Sequence, residues 1–168
     1  MSGAATAAEL VAEAIARLAR KYPFYGAVLA RGEVRPEPVG TLAVTIRGNR
    51  LAFLYDPEFV RTTPADVLVG GLHHEVLHVV LGHLEADPSK SPDREARVVA
   101  EEVTCNEHIQ EPLPPDVLRH HQFGLPDGEG TEVRYARLAA TNPDPPTGNS
   151  VQDQGNSGRW CGGFGPRT

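Results

Sequence analysis

The chain has 168 residues, of which 40% are hydrophobic, and this is enough sequence for one domain with a single core. Its 16 basic and 22 acidic residues give a formal net charge of −6, which argues against a nucleic-acid-binding protein, since such proteins usually carry a basic surface. No stretch reaches the roughly 18–20 apolar residues of a membrane-spanning helix, and 2 cysteines are too few for a disulfide framework. These counts predict a cytoplasmic protein that binds neither nucleic acid nor a membrane.

The first part of the chain predicts an amphipathic helix and then a loop. Apolar residues recur at three- and four-residue spacing over residues 7–22, which is typical of a helix with one buried face. Pro23 is expected to end this helix, because a proline disfavours the helical conformation of the residue before it. Residues 31–40 contain two prolines and are predicted to form a loop.

A β-hairpin is predicted next. Apolar residues alternate along Thr41–Arg47, and Arg50–Tyr55 is a second run of β-forming residues. The Gly48-Asn49 pair between the two runs predicts a two-residue hairpin turn, since both residues adopt positive φ readily. Asp56-Pro57 is expected to end the second strand.

Three more helices are predicted in the second half. Thr63 as cap and Pro64 as first helical residue predict the start of a helix, which is expected to end at Gly82. Another helix is predicted over about residues 92–109, and a short one over residues 131–140. The order of elements indicates an α+β fold.

The composition changes near residue 141. Residues 1–140 are predicted to form the folded domain, whereas residues 141–168 are rich in glycine and proline and lack apolar periodicity. Such a segment cannot bury a core, so it is predicted to be a disordered tail. Trp160 and Cys161 lie in this tail.

The most informative segment is the HExxH motif that begins at His74, inside the helix predicted to end at Gly82. Residues four apart share one face of a helix, so the imidazoles of His74 and His78 can bind one metal ion. Glu75 lies about 100° around the helix, where it is better placed to take a proton from a water molecule on the metal. The alternative is a buried helix with two hydrogen-bonded histidines, but burying these side chains without a shared partner is costly. The motif therefore predicts Zn²⁺, bound by His74 and His78, with Glu75 as general base.

A catalytic zinc ion usually has three protein ligands, and Glu102 is the predicted third. Glu102 falls on an apolar stripe of the helix predicted over residues 92–109, where a carboxylate requires a cation. The apolar residues of this stripe are Val98, Val99, Cys105 and Ile109. Glu101 lies on a face predicted to be solvated and paired with arginine. Asn106, one turn after Glu102, is predicted to hydrogen-bond a metal ligand.

His83 is the alternative third ligand. In a continuous helix it would point about 180° away from His74, so only a chain break at Gly82 could bring it to the metal. The competing interpretation is a histidine at the helix C terminus, where the dipole favours it. His73 lies off the ligand face and is predicted to be hydrogen-bonded outside the ligand set or exposed.

The sequence leaves the roles of several other residues undecided. The candidates for stabilising the oxyanion of the reaction are Tyr55, His120, His121 and Tyr135. Cys105 is predicted to be a small buried apolar residue. Cys161 of the tail could serve as a fourth zinc ligand that keeps an enzyme latent, but an incidental cysteine is favoured.

These segments resemble the bacterial "putative metallopeptidase domain" that usually precedes a von Willebrand factor A-like domain. The resemblance covers roughly residues 8–140 and rests on a hairpin followed by YDPEFVRTTPADVLVGGLHHEVLHVVLGH, AEEVTCNEHI and FGLPDGEGTEVRYARL. It implies a small zincin-like domain and an acidic ligand at Glu102. The motif with a glutamate on a following helix is also similar to the gluzincin zinc peptidases, in which an acidic or amide residue often stands where this chain has Asn106.

The predicted function is zinc-dependent hydrolysis of peptide bonds in a peptide or protein substrate. The alternative is a zinc-stabilised, non-catalytic module that docks to an ATPase or to a separate von Willebrand-like partner. Glu75 favours the enzyme, because a structural zinc site needs no base. If a strand of the hairpin lies at the edge of a sheet, it is expected to pair with an extended substrate.

Overall fold

The computed structural model describes residues 4–141. The helices are α1 (Ala7–Lys21), α2 (Pro23–Leu29), α3 (Pro57–Thr62), α4 (Ala65–Val80), α5 (Arg94–Glu107) and α6 (Thr131–Thr141), and the strands are β1 (Glu33–Pro36), β2 (Leu42–Arg47) and β3 (Arg50–Tyr55). Together they confirm the predicted α+β fold class. The predicted tail lies outside the described residues from position 142 onward. No described helix is long and apolar enough to cross a membrane.

Helix α1 forms because its start is capped and one face is apolar. The Thr6 side chain accepts a hydrogen bond from the Glu9 N–H, and the Glu9 carboxylate accepts one from the Thr6 N–H. The buried residues of α1 are Ala7, Val11, Ala14 and Leu18. Pro23 ends α1 as predicted, but it also begins α2, which the sequence analysis did not predict. A proline suits the first helical position, because that residue has no helical partner for an N–H.

The sheet has three strands in the order β1-β3-β2. Strands β2 and β3 are antiparallel, and the φ angles of 53° at Gly48 and 68° at Asn49 confirm the two-residue hairpin turn. Strand β1 pairs with β3 in parallel, so the prediction of a loop over residues 31–40 was wrong for residues 33–36. Pro36 does not prevent this pairing, since it is the last residue of an edge strand.

The segment between β3 and α4 also differs from the prediction. Asp56-Pro57 does end β3, but the Asp56 side chain accepts the N–H groups of Glu58 and Phe59 and caps α3, with Pro57 as first helical residue. Thr63 is not the cap of α4, because its hydroxyl donates to the Phe59 carbonyl at 2.6 Å. Pro64 holds the cap position instead, without a side-chain hydrogen bond.

Helix α4 lies at the centre of the domain. Residues 68–78 are all buried, with α1 and α2, β2, and α5 packed around them. The core residues on and around α4 include Val11, Leu18, Leu42, Val44, Phe53, Val60, Leu72 and Val76. A helix buried on all sides must be apolar or must supply partners for its polar side chains. The HExxH motif therefore lies in the interior.

The last two helices pack against each other. The Asp93 side chain accepts the Ala96 N–H and caps α5, so the helix begins two residues later than predicted. Helix α6 confirms the short helix predicted over residues 131–140. The guanidinium of Arg134 on α6 is fully buried and donates to the Thr104 hydroxyl and the Glu107 carboxylate of α5. Arg134 thereby fixes α6 against α5.

Candidate metal centre

The structure brings His74 and His78 of α4 together with Glu102 of α5. The two Nε2 atoms are 2.9 Å apart, and they lie 3.3 Å and 3.4 Å from the Glu102 carboxylate oxygens. A tetrahedral zinc ion, with bonds of about 2.0–2.2 Å, separates its ligand atoms by about 3.3–3.6 Å. All three side chains are buried. These residues therefore form a candidate metal site whose donor atoms are already close to the required spacing.

Asn106 orients the His74 ring. Its Nδ2 donates to the Leu118 carbonyl at 3.0 Å, so its Oδ1 is the atom that faces His74 Nδ1, at 2.9 Å. Because this oxygen can only accept, His74 carries its proton on Nδ1. The lone pair of Nε2 is then directed toward His78 and Glu102, which metal binding requires. Asn106 thus lies where the sequence predicted a hydrogen bond to a ligand.

The charges of the cluster favour a bound cation. Burial tends to raise the pKa of Glu102, but the charges of His74 and His78 and their hydrogen bonds outweigh it and hold the pKa at about 2. Burial tends to lower the pKa of His74, but the nearby Glu102 and Glu75 carboxylates outweigh it and raise that pKa. Glu102 is therefore an anion facing two imidazole nitrogens in a dry interior, where a cation compensates its charge.

The Glu75 carboxylate is buried beside these three residues. Among the described residues, neither of its oxygens makes a well-formed hydrogen bond, although the backbone N–H of Val44 is directed toward the carboxylate. Burial raises its pKa to about 7, although the His74 ring and the backbone N–H of Val44 oppose this shift. A buried carboxylate without a well-formed hydrogen bond is costly, and a pKa near 7 suits a general base. Its environment matches that of a base whose partner is a water molecule or substrate beside a metal.

The Glu75→Gln substitution is expected to stabilise the metal-free protein at pH 8 but much less at pH 5. The raised pKa means that the folded chain holds the Glu75 proton more tightly than the unfolded chain, so stability falls as pH rises from about 4.5 to about 7. At about 1.4 kcal/mol per pKa unit, the free energy of unfolding should rise by about 2 kcal/mol more at pH 8 than at pH 5. Urea unfolding at both values, with Glu13→Gln of the exposed face of α1 as control, measures it. An equal effect at both pH values would contradict this interpretation.

His83 is buried, and it contacts His78 on the side of the ring that faces away from Glu102. Gly82 has φ 73° and ends α4, and the turn brings His83 Nδ1 to 3.0 Å from His78 Nδ1. This contact is made with the His78 nitrogen that does not face Glu102. His83 therefore lies just beyond the C-terminal end of α4, beside the three clustered residues rather than among them.

His78, His83 and Cys105 form a second group of potential metal-binding atoms. The Cys105 sulfur lies 3.7 Å from His83 Nδ1. Burial raises the pKa of the Cys105 thiol well above its usual value, so the thiol is protonated in the metal-free protein. Burial also lowers the pKa of His83 to about 3, so its imidazole is neutral. Cys105 is free and fully buried, as predicted.

His73 is held by groups that the sequence analysis did not select. Its Nδ1 lies 2.8 Å from the Glu111 carboxylate, which also accepts a hydrogen bond from Lys21 at 2.6 Å. Its ring contacts Tyr22 and Tyr25, with centroids 4.9 Å and 4.7 Å away. His73 was predicted to be either hydrogen-bonded outside the ligand set or exposed. It is buried and contacts Glu111, so the prediction of an exposed position was wrong.

The other face of α5 carries an ion-pair network. Arg97 donates to Glu101 at 2.5 Å and to Glu132 of α6 at 2.6 Å, in line with the predicted pairing of Glu101. Val98 is 45% exposed, so its assignment to the buried stripe was wrong. The stripe is rotated toward Ala96, Ala100 and Val103.

The four oxyanion candidates are spread over the fold. Tyr55 lies in the main core, and the Tyr135 hydroxyl accepts the Asp93 N–H at 3.4 Å. His120 pairs with Asp127 at 2.5 Å, and His121 is exposed. Residues 87–91 have the sequence pattern Asp-x-Ser-x-Ser, which is also the metal-site pattern of von Willebrand-like domains. In this structure the Asp87 carboxylate instead accepts hydrogen bonds from the N–H and the hydroxyl of Ser89 and caps a short turn.

Comparison with known proteins agrees with the resemblance seen in the sequence. The family described as "Putative metallopeptidase domain" matches residues 6–154, which include the HExxH helix and Glu102. An "Uncharacterized protein" of Thermotoga maritima is 29% identical over 122 residues, which are 66% of this chain and 29% of that protein. The chain thus matches less than a third of the length of this relative, and no solved structure matches it. The chain belongs to the putative metallopeptidase domain family.

Proposed function

We propose that the chain hydrolyses peptide bonds with a zinc ion held by His74, His78 and Glu102 and with Glu75 as general base. The observation that carries this proposal is the buried Glu75 carboxylate, which makes no well-formed hydrogen bond to the described residues and lies beside three converging donor residues. Two imidazoles and one carboxylate are a donor set that suits zinc and leaves one position open. When bound, zinc supplies an acidified water and polarises the scissile carbonyl.

Glu75 moves the proton in this reaction. One of its carboxylate oxygens takes a proton from the attacking water, holds it, and then donates it to the nitrogen of the leaving amine. The pKa of about 7 supports both steps, because the carboxylate and the acid are then both accessible at neutral pH. Asn106 contributes by holding the proton of His74 on Nδ1, away from Glu102.

Strand β2 offers a place for an extended substrate. It is an edge strand next to α4, and Arg47 and Arg50 are the hydrogen-bonded pair that flanks the two-residue turn. Hydrogen-bonded and non-hydrogen-bonded pairs alternate along an antiparallel ladder, so the backbone N–H of Val44 points away from β3, and it is directed toward the Glu75 carboxylate. Because Val44 is fully buried, a peptide would pair with this part of the edge only if the structure opens, and it would then pass beside the proposed base.

A zinc-stabilised, non-catalytic module that docks to an ATPase or a von Willebrand-like partner is the second candidate. It is favoured by the burial of His74, Glu75, His78 and Glu102, none of which is more than 6% exposed. A peptide reaches such a site only if the structure opens.

A cytosolic location is also part of the proposal and is supported by the low number of cysteines.

Digestion of a peptide library by the full chain distinguishes the two candidates. We expect cleavage products, detected by mass spectrometry, from zinc-loaded protein, none after removal of zinc with a chelator, and recovery on adding zinc. One bound zinc per chain with a raised unfolding temperature but no cleavage of any peptide would contradict the proposed enzyme and support the docking module.

A further inference from the structure

The two ring nitrogens of His78 face different surroundings. Nε2 faces His74 and Glu102, whereas Nδ1 lies 3.0 Å from His83 Nδ1. The other nitrogen of His83, Nε2, lies 2.8 Å from the hydroxyl oxygen of Thr131. A chain of hydrogen bonds therefore runs from the candidate metal site through His83 to the first residue of α6.

The positions of the protons along this chain decide whether His78 can bind a metal through Nε2. Two facing Nδ1 atoms share one proton, which belongs to either ring. If His78 carries it, the lone pair of His78 Nε2 is directed at the metal position, His83 Nδ1 accepts, and His83 Nε2–H donates to Thr131 Oγ1. If His83 Nδ1 carries it, a neutral His78 has its proton on Nε2 and cannot bind through that atom. The metal-binding form of His78 thus needs His83 as acceptor.

The backbone places His83 for this contact. A continuous α4 would carry His83 to the opposite side from His74, but Gly82, with φ 73°, ends the helix and turns the chain back. This conformation costs any residue with a Cβ about 1–2 kcal/mol, so glycine suits the position. His83 is only 7% exposed, so its ring has little freedom to turn away from His78.

The far end of the chain of hydrogen bonds is also fixed. Thr131 begins α6, and Arg134, one turn later, binds that helix to the side chains of Thr104 and Glu107 on α5. The other proposed ligand has an equivalent arrangement, since His74 is held by Asn106, which is held by the Leu118 carbonyl. Each histidine of the HExxH motif is therefore oriented by a second side chain that has its own anchor.

We propose that His83 is a positioning residue that orients His78 for metal binding and that Thr131 in turn orients His83. The proposal rests on the proposed function, because it takes His78 as a metal ligand. In this proposal His83 does not bind the metal itself, and α6 helps to hold the metal site in place through Thr131.

The zinc affinity of four variants of the full chain tests this role. We expect His83→Leu to weaken zinc binding by roughly 10–100-fold, the range for losing a partner of a metal-bound histidine. His83→Asn should retain most of the affinity, because its Oδ1 can accept from His78 Nδ1 in place of the imidazole nitrogen. Thr131→Val, which keeps the shape of threonine, should weaken binding by a smaller factor. His108→Leu serves as the control and should bind zinc as the wild type does, because His108 is exposed and belongs to none of the groups of potential metal-binding atoms among the described residues.

Competition with a chromophoric chelator measures the affinities, and the visible spectrum of the cobalt-loaded protein reports the ligand set. The spectrum should keep the same number of nitrogen ligands in His83→Asn as in the wild type. Equal affinity in His83→Leu and wild type overturns the proposal, and so does an equal loss in His83→Leu and His83→Asn, which is the result for a direct ligand. If His83→Leu does not fold, wild-type affinity in Thr131→Val overturns it. Wild-type protein that binds no zinc contradicts the proposed function as well, whereas normal zinc binding in every variant contradicts this inference alone.

Discussion

The Glu75→Gln variant is expected to retain zinc and to lose peptide hydrolysis. Glutamine has nearly the same shape as glutamate but cannot take a proton from water, and Glu75 is not among the three clustered donor residues. Loss of a general base typically lowers the rate by about 10²–10⁴-fold, so kcat should fall by at least about 100-fold. Zinc content by elemental analysis and cleavage of the best library peptide measure the two effects on the same sample.

Glu101→Gln is the matched control for this experiment. Glu101 lies next to Glu102 on α5, but its carboxylate pairs with Arg97. The same chemical change at Glu101 should leave kcat within about threefold of wild type, since Glu101 is not among the three clustered donor residues and its carboxylate contacts Arg97. Cleavage by zinc-loaded Glu75→Gln at the wild-type rate would remove Glu75 from the mechanism.

The Glu102→Ala variant is expected to lose tight zinc binding. Its carboxylate oxygens lie 3.3 Å and 3.4 Å from the two imidazole nitrogens, and its removal leaves only two donors. The loss of affinity should exceed the roughly 10–100-fold that follows from removing an outer partner of a ligand. Zinc at 1,000 times its dissociation constant stabilises the wild-type chain by about 4 kcal/mol, and at the same zinc concentration this stabilisation should fall below about 1.4 kcal/mol in the variant.

Thermal unfolding with and without zinc measures the effect of Glu102→Ala. Glu101→Gln again serves as control and should keep the full rise in unfolding temperature. A rise in Glu102→Ala equal to that of wild type would exclude Glu102 as a ligand and would direct attention to the group formed by His78, His83 and Cys105.

The elements that the sequence predicted are those with local signals. Helix α1 has an apolar face and the hairpin has the Gly48-Asn49 turn, and both signals lie within the element itself. Strand β1 was missed, because it exists through parallel pairing with β3, and local sequence does not record that contact. Helices α2 and α3 were missed because a proline that ends one element can also begin the next, as Pro23 and Pro57 do.

In the candidate site, too, the sequence predicted the residues that have local signals and missed the contacts between residues far apart in the chain. Two histidines four residues apart share a helix face whatever the rest of the fold does, and the apolar surroundings of Glu102 indicated a buried carboxylate. The place of His83 depends on one backbone angle at Gly82 and on Thr131, 48 residues further along the chain. The contact between His73 and Glu111 spans 38 residues, and no spacing in the sequence indicates it.

X-ray absorption at the zinc edge of the loaded wild-type chain tests whether His74, His78 and Glu102 hold the metal, because it reports the atoms around the metal in solution. We expect one zinc per chain with two imidazole nitrogens, a carboxylate oxygen and a further light atom, at distances of about 2.0–2.2 Å, and without sulfur. A sulfur ligand at about 2.3 Å or a third imidazole would contradict this expectation, because sulfur would come from Cys105 or Cys161 and a third imidazole from a histidine outside the proposed set.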